Sequence, residues 1–253
     1  MTWQNRSQQL KGAFEQDGYL VIPGFFSPVE AEDLNARIDR YIAEILPKLP
    51  ADAAFYEVQG QVETIMRLQK LEDYEGYFRD LFFSDLFVKL AELLLDDEAV
   101  PKNLQWFNKP PRVGKVTPPH QDGFYFMLEP NEALTMWLAL DRGSEENGCL
   151  RYVPGSHRQE IRPHRASNVL GFSQGITDFG KADEEAEGSV CAEPGDLIVH
   201  HSMTIHRADP NSSERPRRAL GLVYYAGRAR EDAERSVVYQ KQLMDKWARE
   251  GKA

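Results

Sequence analysis

Long apolar runs, cysteines and clustered positive charge are all scarce in this chain. The longest hydrophobic stretches, such as Leu20–Pro23 and Leu93–Leu95, are only a few residues long, far from the roughly 20 apolar residues that cross a bilayer as a helix. That excludes a membrane-spanning partner role, and the polar start, Met1–Leu10, does not read as a signal peptide. Two cysteines, Cys149 and Cys191, far apart in 253 residues, make no disulfide framework and read as reduced, buried thiols of a cytoplasmic protein. Thirty basic residues against forty acidic ones give a formal charge of -10. Nucleic-acid binders carry the opposite, a basic patch that displaces counterions, so nucleic acid is excluded as partner. Internal repeats are lacking too, and the oligomeric state is left open.

What is present is enough apolar material, 42% hydrophobic and 11% aromatic, for one large core, so a single domain over 1–253 is expected. Residues 1–100 are mainly helical in pattern. Ser27-Pro28-Val29-Glu30 supplies an N-cap, a proline at the first helical position and a capping-box glutamate, and Ala31, Leu34, Ile38, Ile42 and Ile45 follow at helical spacing. This predicts a helix over 28–46. Gly18–Gly24 reads as an early strand, and Tyr74–Phe82 and Ser84–Leu95 as one or two further helices. From residue 102 the period shifts toward two, with Gly, Pro, Asn and Asp between short apolar runs. Candidate strands are Asn103–Asn108, Thr117–Gln121, Leu134–Leu140, Cys149–Val153, Leu197–His200 and Ala219–Tyr225. The glycine-rich, acidic Ala166–Gly188 stretch reads as a mobile surface insertion, and 231–253 as a C-terminal helical tail. Helices followed by strands predict an α+β, mainly β chain: a jelly-roll barrel over 102–230, buttressed by the helices of 1–100.

The sharpest local signal is Pro118-Pro119-His120-Gln121-Asp122-Gly123. On an extended strand, residues two apart share a face, so His120 and Asp122 can offer an imidazole and a carboxylate to one ion. With a second histidine they make a facial triad that leaves three positions open on a six-coordinate metal. Further on, Gly195–Val199 reads as a turn and buried strand with His200, His201 and His206 beyond it; any of the three is a candidate for the distal ligand. Arg215, Arg217 and Arg218 then precede an apolar strand; Arg215 and Arg217 share a parity that Arg218 does not. His157 sits in a tight turn where imidazoles cap backbone groups, and His164 in a polar stretch expected to be exposed. Phe124, Tyr125 and Phe126 read either as a strand of core aromatics or as the lining of a cavity.

Four ordered blocks now combine: Phe14–Phe26, Pro119-His120-Gln121-Asp122-Gly123, Glu146–His157 and Gly195–Arg217. Together they resemble the phytanoyl-CoA dioxygenase family over nearly the whole chain. The resemblance implies a double-stranded β-helix binding Fe(II), with 2-oxoglutarate and dioxygen as co-substrates. It carries the iron ligands to His120, Asp122 and His206, and the arginine of the far 2-oxoglutarate carboxylate to Arg217. A guanidinium suits that role because it offers two parallel charge-assisted hydrogen bonds. Gln105 and Trp137 fall where the family lines the same pocket, and a basic residue near Arg67 is placed toward it. The implied reaction yields succinate and carbon dioxide while hydroxylating a small-molecule substrate; the carboxylate Asp122 disfavours halogenation, which uses its vacancy. A metal- and 2-oxoglutarate-binding jelly roll without turnover, acting as a sensor, is the alternative from another class, and zinc-dependent hydrolysis is a third.

Overall fold

The structure, a computed structural model, describes residues 3–169 and 172–232 together with Glu234 and Val237. Helix α1 (Ser7–Asp17) stops at Gly18, whose φ of 77° is left-handed and whose N–H closes on Phe14 O at 2.8 Å. A Cβ here would stand 2.3 Å from the His157 ring, so the position requires glycine. Strand β1 (Tyr19–Ile22) follows. Helix α2 (Pro28–Arg40) begins with the expected capping box: Ser27 Oγ accepts from Glu30 N, and Glu30 accepts from Ser27 N at 2.7 Å. Its α-helical bonding ends at Arg40 rather than near 46, and the chain winds on as a π turn, Tyr41–Ile45, before Pro47 enters a 3-10 turn. Two strands not expected from the sequence, β2 (Ala54–Tyr56) and β3 (Ile65–Leu68), then precede helices α3 (Leu71–Tyr74), α4 (Gly76–Phe82) and α5 (Asp85–Leu95).

The second part runs β4 (Ala99–Lys109), β5 (Thr117–His120), α6 (Gly123–Phe126), β6 (Leu128–Glu129), β7 (Ala133–Ala139), β8 (Leu150–Tyr152), β9 (His164–Val169), β10 (Phe172–Ile176), α7 (Lys181–Ala186), β11 (Gly188–Val190), β12 (Leu197–His201), β13 (His206–Ala208), β14 (Arg217–Ala226) and β15 (Arg230–Glu231). A seven-stranded sheet, β1-β12-β7-β14-β4-β3-β2, faces a four-stranded one, β11-β8-β13-β5. These are the two walls of the expected jelly roll.

Strand parity sorts the side chains of β14. Leu220, Leu222 and Tyr224 pack outward with Phe82, Phe87, Leu90 and Leu34 from the helices, which form the larger core. Ala219 points the other way, into a smaller core between the sheets with Trp137, Ile198 and Tyr152. Covered on both sides, β7 is buried along its whole length. The helices thus brace the outer face of the large sheet and leave its inner face for the site.

Several expectations need correction. Ala166–Gly188 is not a featureless mobile insertion: within it β9 pairs with β10, β10 packs on β5, and Gln174 O accepts a 2.8 Å hydrogen bond from Tyr125 OH. Of its acids, Asp183 pairs with Arg162 at 2.7 Å and the buried Glu187 carboxylate with Arg207, so these are not solvated charges. Cys191 is exposed, whereas Cys149 is buried. The two are also close in space, because the β11–β8 ladder that pairs Val190 with Leu150 runs toward them, and burial with Cys191 alongside pushes the Cys149 thiol up to about 12. The tail expected over 231–253 lies, apart from Glu231, Asp232, Glu234 and Val237, outside the described residues. Among those described, no helix is long and apolar enough to cross a membrane.

Leu220 is fully buried where sheet and helices meet. Its truncation to alanine removes packed methyl groups and leaves a cavity, so Leu220→Ala is expected to cost about 2–5 kcal/mol in denaturant unfolding. A loss below 0.5 kcal/mol would contradict this packing.

Candidate functional site

The antiparallel pairing of β13 with β5 sets His206 directly opposite His120. Their ring centroids are 4.1 Å apart. Each ring uses Nδ1 on a backbone carbonyl two residues earlier, His120 on Pro118 O at 2.8 Å and His206 on Thr204 O at 3.0 Å. A carbonyl only accepts, so Nδ1 must be the donor, and both Nε2 lone pairs are left for a ligand. Burial pushes His206 well below the ordinary histidine value, with His120 and His200 adding to the effect; the ring is neutral, as a metal ligand must be.

Asp122 reaches the same point by a different route from the expected one. Strand β5 ends at His120, and Asp122 has helical dihedrals at the start of α6. The turn swings its Oδ1 to 3.5 Å from His120 Nε2 and 3.9 Å from His206 Nε2. Burial favours the neutral acid, but the His120 and His200 rings outweigh it and hold this carboxyl well below the usual carboxylate range. The three donor atoms lie within 4.8 Å of one another. Cis ligands on an ion with ~2.1 Å bonds stand ~3 Å apart, so small side-chain rotations close the site, and a set of two imidazoles and one carboxylate fits Fe(II). Gln121, between the ligands, points away and is fully buried, donating to Met203 O at 2.9 Å and accepting from Arg162 N at 2.9 Å.

Thr135, which had no sequence signal, and His200, one of the three candidate distal histidines, meet the other Asp122 oxygen. Oδ2 accepts from Thr135 Oγ1 at 2.8 Å and lies 3.1 Å from His200 Nε2. The second His200 nitrogen meets Tyr152 OH at 2.9 Å. His201, by contrast, faces Phe14 and His157 outside the barrel and accepts from Met203 N at 3.1 Å. His157 lies 3.2 Å from Glu15 O, a backbone contact of the expected kind though distant in sequence. His164 is half-buried rather than exposed, stacked 4.3 Å from Phe124. The aromatic run Phe124–Phe126 forms the short helix α6, not a strand.

A cation stands further along the same inner face. Arg217 is buried; its Nη1 donates to Gly148 O at 2.6 Å and its Cζ lies 5.1 Å from the Trp137 ring centre. Its Nε is buried without a partner, an orphaned donor of the kind a carboxylate satisfies. Gly148, left-handed at φ 77°, is required where it packs against β13's exit, since a Cβ would stand 2.2 Å from Asp209 O. Burial pushes Arg217 down to about 10, so it stays charged at neutral pH. Its strand partner Lys109 is pushed down to about 7, first by burial and then by Arg217, leaving Arg217 as the fixed cation. Gln105 lies across Gly221 from Trp137, and its Oε1 is also buried and unpartnered. Arg67 pairs onto this face opposite Phe107 and lies over Phe55. The rival arginines are engaged elsewhere: Arg218 makes a two-pronged pair with Asp141 at 2.7 and 2.9 Å, and exposed Arg215 pairs with Glu146 at 3.2 Å.

Trp137 and Thr135 are two apart on β7, about 7 Å along one face, so the cation and the triad lie along the same inner face of the barrel. A facial triad inside a double-stranded β-helix defines a mononuclear non-haem metal centre. The profile of the phytanoyl-CoA dioxygenase family matches residues 14–219, and the chain belongs to that family. It is 27% identical to bovine (Bos taurus) peroxisomal phytanoyl-CoA dioxygenase over 221 residues, 82% of this chain and 65% of that protein, so it spans under two thirds of that relative's length. It is 28% identical to a probable alpha-ketoglutarate-dependent hypophosphite dioxygenase of Stutzerimonas stutzeri, covering 84% of this chain and 76% of the other. Among solved structures, EvdO2 of Micromonospora carbonacea var. aurantiaca complexed with 2-oxoglutarate superposes with a TM-score of 0.69 at 28% identity, over 89% and 92% of the two chains.

Because His206 faces His120 and His201 faces α1, His206→Ala should lose Fe(II) retained on gel filtration while His201→Ala keeps it. The reverse pattern would move the distal ligand to His201.

Proposed function

We propose that this protein is a Fe(II)- and 2-oxoglutarate-dependent dioxygenase that hydroxylates a small-molecule substrate with release of succinate and carbon dioxide. The observation that carries the reading is the convergence of His120, Asp122 and His206 within 4.8 Å on the inner wall of the barrel. Membership of the family and the likeness to a 2-oxoglutarate-bound structure support it. In this reading His120, Asp122 and His206 hold the metal, and Arg217 neutralises the far carboxylate of 2-oxoglutarate, with Trp137 and Gln105 lining its pocket. Iron with dioxygen and 2-oxoglutarate supplies the oxidising power; the chain supplies fixed ligands, a matched charge and a largely dry chamber. Asp122 occupies the position that halogenation needs empty, which favours hydroxylation.

Room for the substrate is offered by a cavity whose wall includes Val223 of β14. This cavity, of about 380 Å³, is walled by Lys102, Asn103, Phe126, Val223 and Tyr225 among others. Val223 pairs with Asn103 on one side and Thr135 on the other, so this wall is continuous with the strand that touches Asp122. Its mixed lining of amide, aromatic and charged groups of both signs suits a compact polar molecule. We further read residues 1–253 as one functional domain and place the reaction in the cytoplasm, as the few cysteines suggest.

The reading is tested at Arg217. Removing it leaves a carboxylate in a buried pocket without its partner, a loss of about 2–5 kcal/mol, or on the order of thirtyfold or more in affinity. Titrating 2-oxoglutarate anaerobically into the Fe(II) protein and following charge-transfer absorbance should show this weakening in Arg217→Ala, with iron retained. Arg217→Lys should also be impaired, since an ammonium lacks the planar fork. Unchanged affinity in Arg217→Ala, with loss in Arg215→Ala or Arg218→Ala, would overturn the assignment.

A further inference from the structure

Four titratable side chains, not three, crowd the metal-binding point. The His200 ring centre lies 4.4 Å from that of His206, nearly as close as His120. Yet both His200 nitrogens are committed. Nε2 lies 3.1 Å from Asp122 Oδ2, and Nδ1 lies 2.9 Å from Tyr152 OH. An ionised carboxylate oxygen only accepts, so Nε2 carries the hydrogen, and Nδ1 then accepts the phenol proton. Tyr152 is held in turn: it is fully buried, stacked on Tyr19 at 4.5 Å, and paired across the ladder with His206 itself.

The two Asp122 oxygens are therefore unequal. Oδ2 takes hydrogen bonds from Thr135 and His200 and is turned from the histidine ligands, whereas Oδ1 faces both of their Nε2 atoms. A carboxylate that binds a metal through both oxygens fills two positions, and would leave a six-coordinate ion only two for a bidentate co-substrate and dioxygen. We propose that His200, oriented by Tyr152 and assisted by Thr135, is the positioning residue that restricts Asp122 to a single-oxygen ligand and so keeps three positions open. His200 is thereby excluded as a fourth ligand and acts on the metal only through Asp122. The proposal rests on the metal assignment above, but concerns a residue that this assignment leaves without a role.

The test uses Co(II), whose visible spectrum reports coordination number, in the wild type, His200→Leu, His200→Gln and Thr135→Val, with thermal unfolding of the metal-free proteins as the control for folding. His200→Leu keeps bulk but lacks the donor; His200→Gln restores an N–H. His200→Leu and Thr135→Val should each bind Co(II) about 10–100-fold more weakly with an altered visible band. His200→Gln should recover most of the affinity and the wild-type band. Wild-type Co(II) affinity and spectrum in both His200→Leu and Thr135→Val would overturn the proposal. So would loss in His200→Gln equal to that in His200→Leu at unchanged metal-free unfolding temperature. If His200→Leu fails to fold, Thr135→Val alone decides by the same criteria. Failure of the wild type to bind any divalent metal would instead remove the underlying metal assignment.

Discussion

The antiparallel register between β5 and β13 is the constraint on which the site depends. By setting His206 opposite His120, it joins residues that are 86 positions apart in the chain, and each ring's backbone hydrogen bond turns its free nitrogen to the same point. A one-residue slip would turn His206 to the other face of the sheet and dismantle the triad. The surrounding ladders act against that slip: β8 pairs with β13 on its other side, and the ring of Tyr152 lies 5.7 Å from that of His206.

The large sheet contributes the remainder through parity. One face of β14 carries Leu220, Leu222 and Tyr224 to the helices; the other carries Arg217, Ala219 and Gly221 inward. Small residues at two of these three inner positions leave space near the charge, which the Phe107 ring partly fills over Gly221. On β7 the same alternation presents Thr135 to Asp122 and Trp137 to Arg217. Helices on the outer face and chemistry on the inner face are thus one consequence of a period-two pattern, and the stability of the outer packing holds the inner geometry.

The parts of this arrangement legible in the sequence were those with strong local chemistry. The capping box marked the start of α2, alternating apolar runs marked the long inner strands, and the ordered motif blocks pointed to His206 and Arg217, which lie on the inner face while His201 faces α1 and Arg218 pairs with Asp141. Strands β2 and β3 were not legible, because, unlike the equally short β1, β5 and β8, they have no Gly or Pro within two residues of their ends to mark them, and their pairing is decided by distant partners. The Asp122 route was misread because a helical turn, not strand alternation, aims its carboxylate. His200 was legible only as one of three candidate distal histidines, since its partners Asp122, Tyr152 and Thr135 are 78, 48 and 65 positions away and meet it only in the folded barrel. The Ala166–Gly188 stretch looked unstructured by composition, but its order comes from pairing within a hairpin and packing on β5.

The central claim is that the inner face of the barrel holds a metal at His120, Asp122 and His206 and a dicarboxylate at Arg217. The most direct measurement is a crystal structure of the wild-type protein grown anaerobically with Fe(II) and 2-oxoglutarate. The account predicts iron on the two Nε2 atoms and Asp122 Oδ1 alone, with the far carboxylate of 2-oxoglutarate on the Arg217 guanidinium. Iron bound elsewhere, or a far carboxylate resting on Arg67 or Lys109 with Arg217 still turned to Gly148, would contradict it.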